Sequence, residues 1–599
     1  MGKRKGKGNS FEIVPAGFNA AASKKQKASK GAASTNTLRN AHTGAMKKQD
    51  EIWFRKCGHG ERLFTEYYGA AGSPIPHGEW DAFMASFRTK LPVTWRFRAG
   101  ANVDERRDLE ERIRALGTAA PVPWAPAKEG IWQASTDKHS LSLARKAATS
   151  GGSGGGGEGK ALASLLAEGV SRGLLNRQEC VSMLPVLALR VSAGSYVLDT
   201  CSSPGQKTIQ LLEAVCGEGG EGGEGGGDDE RGLVVANDAH PKRVYALIEA
   251  IGRHARPPSE MRKLVVACHR GEAFPAPARP FRKPSSGAAP AEGTGGGEEE
   301  EEASIGFDRV LADVPCSGDG TIRKDPTVLP RWTPGVGTLL HAVQLEIAWR
   351  GLELLRVGGR MVYSTCSLNP IEDEAVVAAL IARADAISPG AVTVEKWPAG
   401  VLPQLKRRAG MATWRVADHV EAVHAPIQGG VRAEAEDSDD EEEWKLRWHK
   451  DYEAAVAAKM EGAVPTLWPP AHSEQMNLDR CSRMLPHDQD TGGFFVALLK
   501  KSKPIGRDFL GQHQDTKERP KSGTTATREL PPLPDEEMLL PLPAQEAHEM
   551  GARLGLKAPK RRLLRATNNE AVHLAPRAVA AFSAGELCVA KAGVLAVSE

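Results

Sequence analysis

From residue 172 to about residue 500 the chain alternates short β-branched, apolar runs with stretches of helical spacing. Few folds accept that alternation: it is the pattern of a largely parallel sheet covered by helices on both faces. The strand candidates are Tyr196–Leu198, Leu233–Ala236, Leu264–Ala267, Asp308–Ala312, Arg360–Tyr363 and Phe494–Leu499. Residues 338–357 carry Leu339, Leu340, Val343, Ile347, Leu354 and Leu355 at near-helical spacing, and this helix is expected to stop at Gly358–Gly359. The expected class is α/β, Rossmann-like.

Composition matters mainly where it is biased. Glycines at 149–159, a Gly/Glu run at 217–230, a Pro/Ala/Gly/Glu segment at 276–304 and an acidic run at 433–443 read as linkers or inserts, and 503–560 as a Pro-rich linker. These breaks give a tail at 1–50, a folded region at 51–148, a linker at 149–159, a main domain at 160–502 with three inserts, and a small segment at 561–599. The tail holds eleven Lys/Arg against two acids, which suggests polyanion contact or nuclear import and a nuclear, even nucleolar, protein. Residues 53–145 concentrate Trp and Phe beside Arg96, Arg98, Arg106, Arg107, Arg112 and Arg114, a mixture that suits either a packed core or RNA contact. No apolar run reaches the ~18–20 residues of a membrane span and no secretory signal opens the chain, so a soluble intracellular protein is expected. Nine cysteines without a C-x-x-C pair argue for thiols rather than disulfides. Neither Cys57 with His59 nor Cys268 with His269 has the second pair a closed zinc site needs, and no metal is expected.

The first strand candidate runs through Asp199 into Thr200-Cys201-Ser202-Ser203-Pro204-Gly205-Gln206-Lys207-Thr208, followed by a helix. Such a turn offers free N–H groups and a positive dipole end to an anion, and Gly205 permits close backbone approach. Asp238 ends the second strand, 39 residues after Asp199, or 25 once the insert 217–230 is set aside. An acid there suits a ribose diol, with a helix N-cap as the alternative role. The turn is not G-x-G-x-x-G, which favours an adenosyl compound with a free amino-acid end, S-adenosyl-L-methionine, over a dinucleotide.

Two further strands deliver thiols at their carboxyl ends: Asp313-Val314-Pro315-Cys316 and Ser364-Thr365-Cys366, 50 residues apart. Carbon 5 of a pyrimidine is a poor nucleophile until a group adds at carbon 6. A thiolate can add there, carbon 5 then takes a methyl from a sulfonium, and loss of the carbon 5 proton releases the thiol. Asp313 is placed to hydrogen-bond the ring nitrogens of such a base.

On these residues, and on Asn176–Pro185, Asp313–Lys324, Tyr363–Val376, Arg483–His487 and Thr491–Phe495, the chain resembles the NSUN family of RNA (cytosine-5) methyltransferases, most closely the eukaryotic multisite tRNA branch. The resemblance implies an S-adenosylmethionine-dependent methyltransferase sheet, RNA (chiefly tRNA) as partner, Cys366 as nucleophile and Cys316 as the thiol that assists product release. It implies that Cys201, Ser202, Ser203, Pro204, Gly205, Gln206, Lys207, Asp238 and Asp313 line the donor site, with Lys207 near the reacting groups and Asn369–Glu374 as a supporting loop. Where the family commonly has an acid that meets the adenine edge, this chain has Arg270, with Glu272 as the candidate replacement. The resemblance also makes 51–148 an N-terminal RNA-binding region, and residues 562–599 an incomplete segment of PUA type opening with a strand pair at 582–589. The rival readings are a ribosomal RNA methyltransferase with the same chemistry and a non-catalytic RNA-binding protein.

Overall fold

A computed structural model describes residues 59–138, 140–142, 157–217, 232–254, 258–277, 306–421 and 444–505, together with the strands Leu539–Pro541, Arg562–Ala566, Ala571–Ala575, Val589–Ala592 and Leu595–Ser598. The basic tail, almost all of the three inserts and most of the 503–560 linker lie outside the described residues.

The described chain opens with helices α1 (His59–Gly69) and α2 (Trp80–Phe87). A first sheet follows, built from β1 (Pro92–Phe97), β2 (Ala119–Pro121), β3 (Ile131–Asp137) and β4 (Leu175–Arg177), in the order β2-β3-β1-β4. Helices α3 (Val103–Ala115) and α4 (Gly157–Ser171) pack on it. Asn102 starts α3 by accepting from the N–H groups of Asp104 and Glu105, the usual way a helix N-terminus satisfies donors that have no partner within the helix. Residues 160–177, grouped by sequence with the main domain, pack with the N-terminal sheet: Leu162, Leu166 and Leu175 share a core with Trp95, Phe97 and Trp132.

Of the two readings of the N-terminal aromatics, the packed core describes those on α1, α2 and the first sheet. Trp95, Phe97, Trp132, Phe64 and Phe83 are all buried, and α1 and α2 carry their aromatics onto Ile322, Trp332, Leu368 and Leu485 of the main domain. The six arginines are paired with acids as well: Arg96 with Glu213, Arg98 with Glu260, Arg106 and Arg114 with Glu110, Arg107 with Asp104, and Arg112 with Asp108 and Glu168.

The main sheet holds β5 (Tyr196–Asp199), β6 (Leu233–Asn237), β7 (Leu264–Ala267), β8 (Phe307–Asp313) and β9 (Leu355–Thr365) in parallel. Helix α5 (Cys180–Leu189) precedes β5, α6 (Gln206–Cys216) and α7 (Pro241–Gly252) follow β5 and β6, α8 (Pro334–Leu354) precedes β9, and α9 (Glu374–Asp385) follows it. Beyond β9 lie β10 (Val392–Val394), β11 (Arg408–Ala409), the hairpin strands β12 (Val416–Glu421) and β13 (Trp444–His449), then β14 (Ser482–Met484) and β15 (Phe494–Lys501). Strand order is β11-β14-β15-β9-β8-β5-β6-β7, with β15 antiparallel to β9 and Val589–Ala592 on the far edge beside β7. All six strand candidates are present. Their continuous apolar runs reflect burial on both faces: Val197 and Val234 point into one core, Leu198 and Val235 into the other. Order reverses between β5 and β8, so the crevice for ligands lies at the carboxyl ends of these strands.

One boundary differs from expectation. The helix ends at Leu354, and Leu355 through the two glycines is already strand, because Leu355 pairs with Phe307 and a bulge precedes the Arg309–Arg360 pair. Among the described residues no helix is long and apolar enough to cross a membrane. At the C-terminal end, Leu539–Pro541, Arg562–Ala566, Ala571–Ala575 and Leu595–Ser598 form a four-stranded sheet, while the expected pair at 582–589 falls outside the described residues except Val589.

Candidate active site

Strands β8 and β9 are parallel neighbours in a register that sets Asp313 opposite Ser364, so their exits lie side by side. That register brings together two thiols 50 residues apart: Cys316 Sγ and Cys366 Sγ are separated by 3.2 Å. The contact with Cys366 and burial together push the Cys316 thiol well above its ordinary range, and either sulfur can donate in the contact. The exits are locked by close backbone packing. Gly320 N–H donates to the Cys366 carbonyl at 2.9 Å, and a Cβ on Gly320 would lie 2.7 Å from that oxygen and 2.5 Å from the Gly493 carbonyl.

Lys207, the second residue of α6, reaches across to this pair of strands. Its Nζ is 2.8 Å from Asp313 Oδ2, donates to Ser182 Oγ at 2.8 Å and lies 5.3 Å from the centre of the Phe494 ring. Burial would push the ammonium down, but Asp313, the hydrogen bond between them and the Cys366 sulfur outweigh it, and the net shift is upward. The lysine therefore stays cationic beside the sulfur. Asp313 is held from its other oxygen by Ser364 Oγ at 2.7 Å.

The crevice at β5 and β6 has the features expected of a ligand cradle. Gly205 caps α6 at φ +103°, and a Cβ there would meet Leu247 at 2.8 Å. Asp238 is buried after β6 and accepts from Ser203 N at 3.3 Å and from Arg243 Nε at 3.0 Å. Asn237 ties three strand exits together, donating to the Thr200 and His269 carbonyls and accepting from His269 N–H. Cys201 is held in the thiol form by burial and by Asp238. Arg270 stands apart: half-exposed, it pairs with Glu272. Arginine and glutamate thus neutralise each other where a lone acid was expected.

Sequence reading named Glu372 only as part of a supporting loop. The structure makes it the hub beneath both thiols: fully buried, it accepts from Ser317 N at 2.7 Å, Ser367 Oγ at 2.6 Å, Gln344 Nε2 at 3.0 Å and Ser317 Oγ. Burial, reinforced by Asp319, pushes its carboxyl up to about 7 against these donors. Asp319, missed by sequence, anchors the nucleophile loop through Leu368 N at 2.7 Å and holds Trp332 Nε1 at 3.0 Å and Tyr68. The signal was present as three consecutive acids, Glu372-Asp373-Glu374, ahead of an apolar helix, since acids are kept in such a place only when paired.

Among the described residues one trio approaches metal-ligand geometry, Glu79, His487 and Asp488. Arg408 bonds both carboxylates and so offsets one of their two charges, and with His487 it holds Glu79 down to about 2.

Residues 294–400 match the family described as 16S rRNA methyltransferase RsmB/F. The chain is 35% identical to the multisite-specific tRNA:(cytosine-C(5))-methyltransferase trm4b of Schizosaccharomyces pombe, over 76% of this chain and 60% of that protein. Identity is 32% to the tRNA (cytosine(34)-C(5))-methyltransferase of Drosophila melanogaster, over 74% and 53%, and 31% to the multisite-specific enzyme of Saccharomyces cerevisiae, over 71% and 53%. The chain thus spans between 53% and 60% of the length of these curated relatives, and the resemblance drawn from its motifs holds over about three quarters of its own length.

Proposed function

We propose that this chain, homologous over most of its length to tRNA cytosine-C5 methyltransferases, is itself an S-adenosylmethionine-dependent RNA (cytosine-5) methyltransferase acting on tRNA. The observation that carries this reading is the pair of thiols 3.2 Å apart at two strand exits, beside a partly buried Lys207–Asp313 ion pair. Carbon 6 and carbon 5 of a pyrimidine are bonded neighbours, so a ring attacked by one sulfur leaves the other within reach of carbon 5. In this reading Cys366 is the nucleophile, Lys207 lies near the reacting groups, Asp313 orients the ring, and Cys316 assists release.

The residues fit the methyl donor. The α6 N-terminus with Gly205 suits its carboxylate, Asp238 its ribose, and the buried Gln206 Oε1 has no partner among the described residues and is free to accept from a ligand. Bound there, the sulfonium would supply the methyl group. Cys201, Ser202, Ser203, Pro204 and Asp313 would complete the wall, and Arg270, spent on Glu272, would contribute least. Asp238→Asn is accordingly expected to weaken S-adenosylmethionine binding by about 10- to 100-fold, the worth of a charged hydrogen bond, whereas Arg270→Asp changes it less than about threefold. Calorimetry on the full chain separates the two; an indifferent Asp238→Asn would remove Asp238 from the site.

The decisive assay is methyl transfer from labelled S-adenosylmethionine to tRNA, with nucleoside analysis for 5-methylcytidine. The second reading, ribosomal RNA as substrate, is favoured by the 16S rRNA family matched at 294–400, and total RNA run in parallel distinguishes the two. Incorporation into neither would sink the enzyme reading and favour a non-catalytic RNA-binding protein. The basic tail supports a nuclear protein, with the nucleolus as the compartment to test, and the C-terminal strands support an RNA-binding role of PUA type.

A further inference from the structure

Among the described residues the hairpin β12–β13 pairs with no other strand, and a cavity of about 550 Å³ is lined in part by residues of β13. Its wall includes Trp414, Trp448, Tyr452 and Trp468, with Arg415 and Lys450 exposed among them. That volume falls in the range of pockets that hold small ligands. The ring N–H groups of Trp414 and Trp468 are spent on the carbonyls of Leu467 (2.7 Å) and His449 (3.4 Å), which leaves ring faces as the main offering of these side chains.

Charge decides what those faces would take. An aromatic cage alone would suit a quaternary ammonium. Here Asp418 is paired with Arg447 and His449, and Asp451, which lines the cavity and caps Ala454 N–H at 2.8 Å, is one carboxylate against two cations. Among the described residues neither Arg415 nor Lys450 has a carboxylate partner, and Arg415 lies 3.8 Å from the Trp448 ring centre. Two unpaired cations repel a cationic ligand and attract a phosphate, while the rings and the guanidinium plane stack bases.

We infer that this cavity binds a nucleotide of the substrate RNA other than the target cytosine, stacking its base on the aromatic wall and its phosphate on Arg415 and Lys450. The inference rests on the RNA reading above. A short path connects the cavity to the chemistry: Trp448 lies nearly parallel to Tyr67 at 5.4 Å, Tyr67 OH donates to Asn369 Oδ1 at 2.9 Å, and Asn369 follows Cys366 by three residues. None of Cys316, Cys366, Asp313 or Lys207 lines the cavity, so its occupant is not the base being modified.

The test uses the full chain, tRNA, and a 12-nucleotide single-stranded RNA carrying 4-thiouridine at successive positions. Ultraviolet crosslinks are expected at Tyr452 or Trp468, because Arg415 and Tyr67 already cover the Trp448 ring. An Arg415→Glu/Lys450→Glu variant should raise KM for tRNA about tenfold with kcat within about twofold. It should also lower the log–log salt slope of RNA binding by about 0.7, the value for one lost phosphate contact on a single strand. Lys396→Glu, an exposed charge change away from the cavity, is the control and should do neither. Crosslinks only elsewhere, or the same KM shift in the control, would overturn the inference. Wild type that crosslinks at these rings yet never transfers methyl would sink the enzyme reading and leave the cavity as a nucleotide site.

Discussion

Replacing Cys366 with alanine is expected to abolish both methyl transfer and the denaturation-resistant protein–RNA adduct, a loss on the order of 10⁴-fold or more in kcat, as for removal of other covalent nucleophiles. The two sulfurs are near enough that position alone does not rank them. The family resemblance ranks them, with Cys366 as nucleophile, and the cationic Lys207 lies within electrostatic reach of that sulfur. Cys316→Ala should therefore still add to the base and then stall, accumulating adduct with turnover reduced at least ~10²-fold, the span ascribed to a general acid or base. One denaturing gel with labelled RNA reads both variants. If Cys366→Ala retains the adduct and Cys316→Ala loses it, the roles are exchanged.

The largest effect on stability is expected at Arg483, which is almost wholly buried behind the nucleophile loop. It donates to Glu374 at 2.7 Å and to the Leu368 carbonyl at 2.9 Å, and lies 3.1 Å from Asp373. Arg483→Ala strands two buried acids and a carbonyl, and should cost about 3–5 kcal/mol in denaturant unfolding. Arg483→Lys should recover only part, because one ammonium cannot reproduce the planar fork. The pH dependence has a definite sign. Burial already pushes the Asp373 carboxyl up, with Arg483 opposing. Without the guanidinium, acids with raised folded pKa values contribute stability at low pH and lose it as pH rises, so the gap to wild type narrows as pH falls from 7 towards 4. A gap constant with pH would mean that Arg483 acts through packing alone.

Much of the fold was legible in the sequence because burial on both faces leaves an unbroken apolar run, as at Leu233–Ala236 and Leu264–Ala267. The crevice loop and the two strand-end thiols were legible for a related reason: Gly, Pro and Ser cluster where a strand stops, and chemistry sits on such exits. Less legible was the end of the helix before β9, where pairing of Leu355 with Phe307 overrode helical spacing. The aromatics and arginines of 53–145 were ambiguous because core and RNA platform draw on the same residue types.

The sequence by itself determined the class of fold, the residues at the strand exits and the kind of chemistry they can support, since these depend on local periodicity and residue type. Tertiary structure alone decided that Cys316 and Cys366 meet, that Glu372 and Asp319 lie beneath them, that six arginines are spent on acids, and that residues from 414 to 469 enclose a basic aromatic cavity. Each of those depends on which distant segments become neighbours. That is set by strand register and packing, and a chain's local pattern does not encode distance across a sheet.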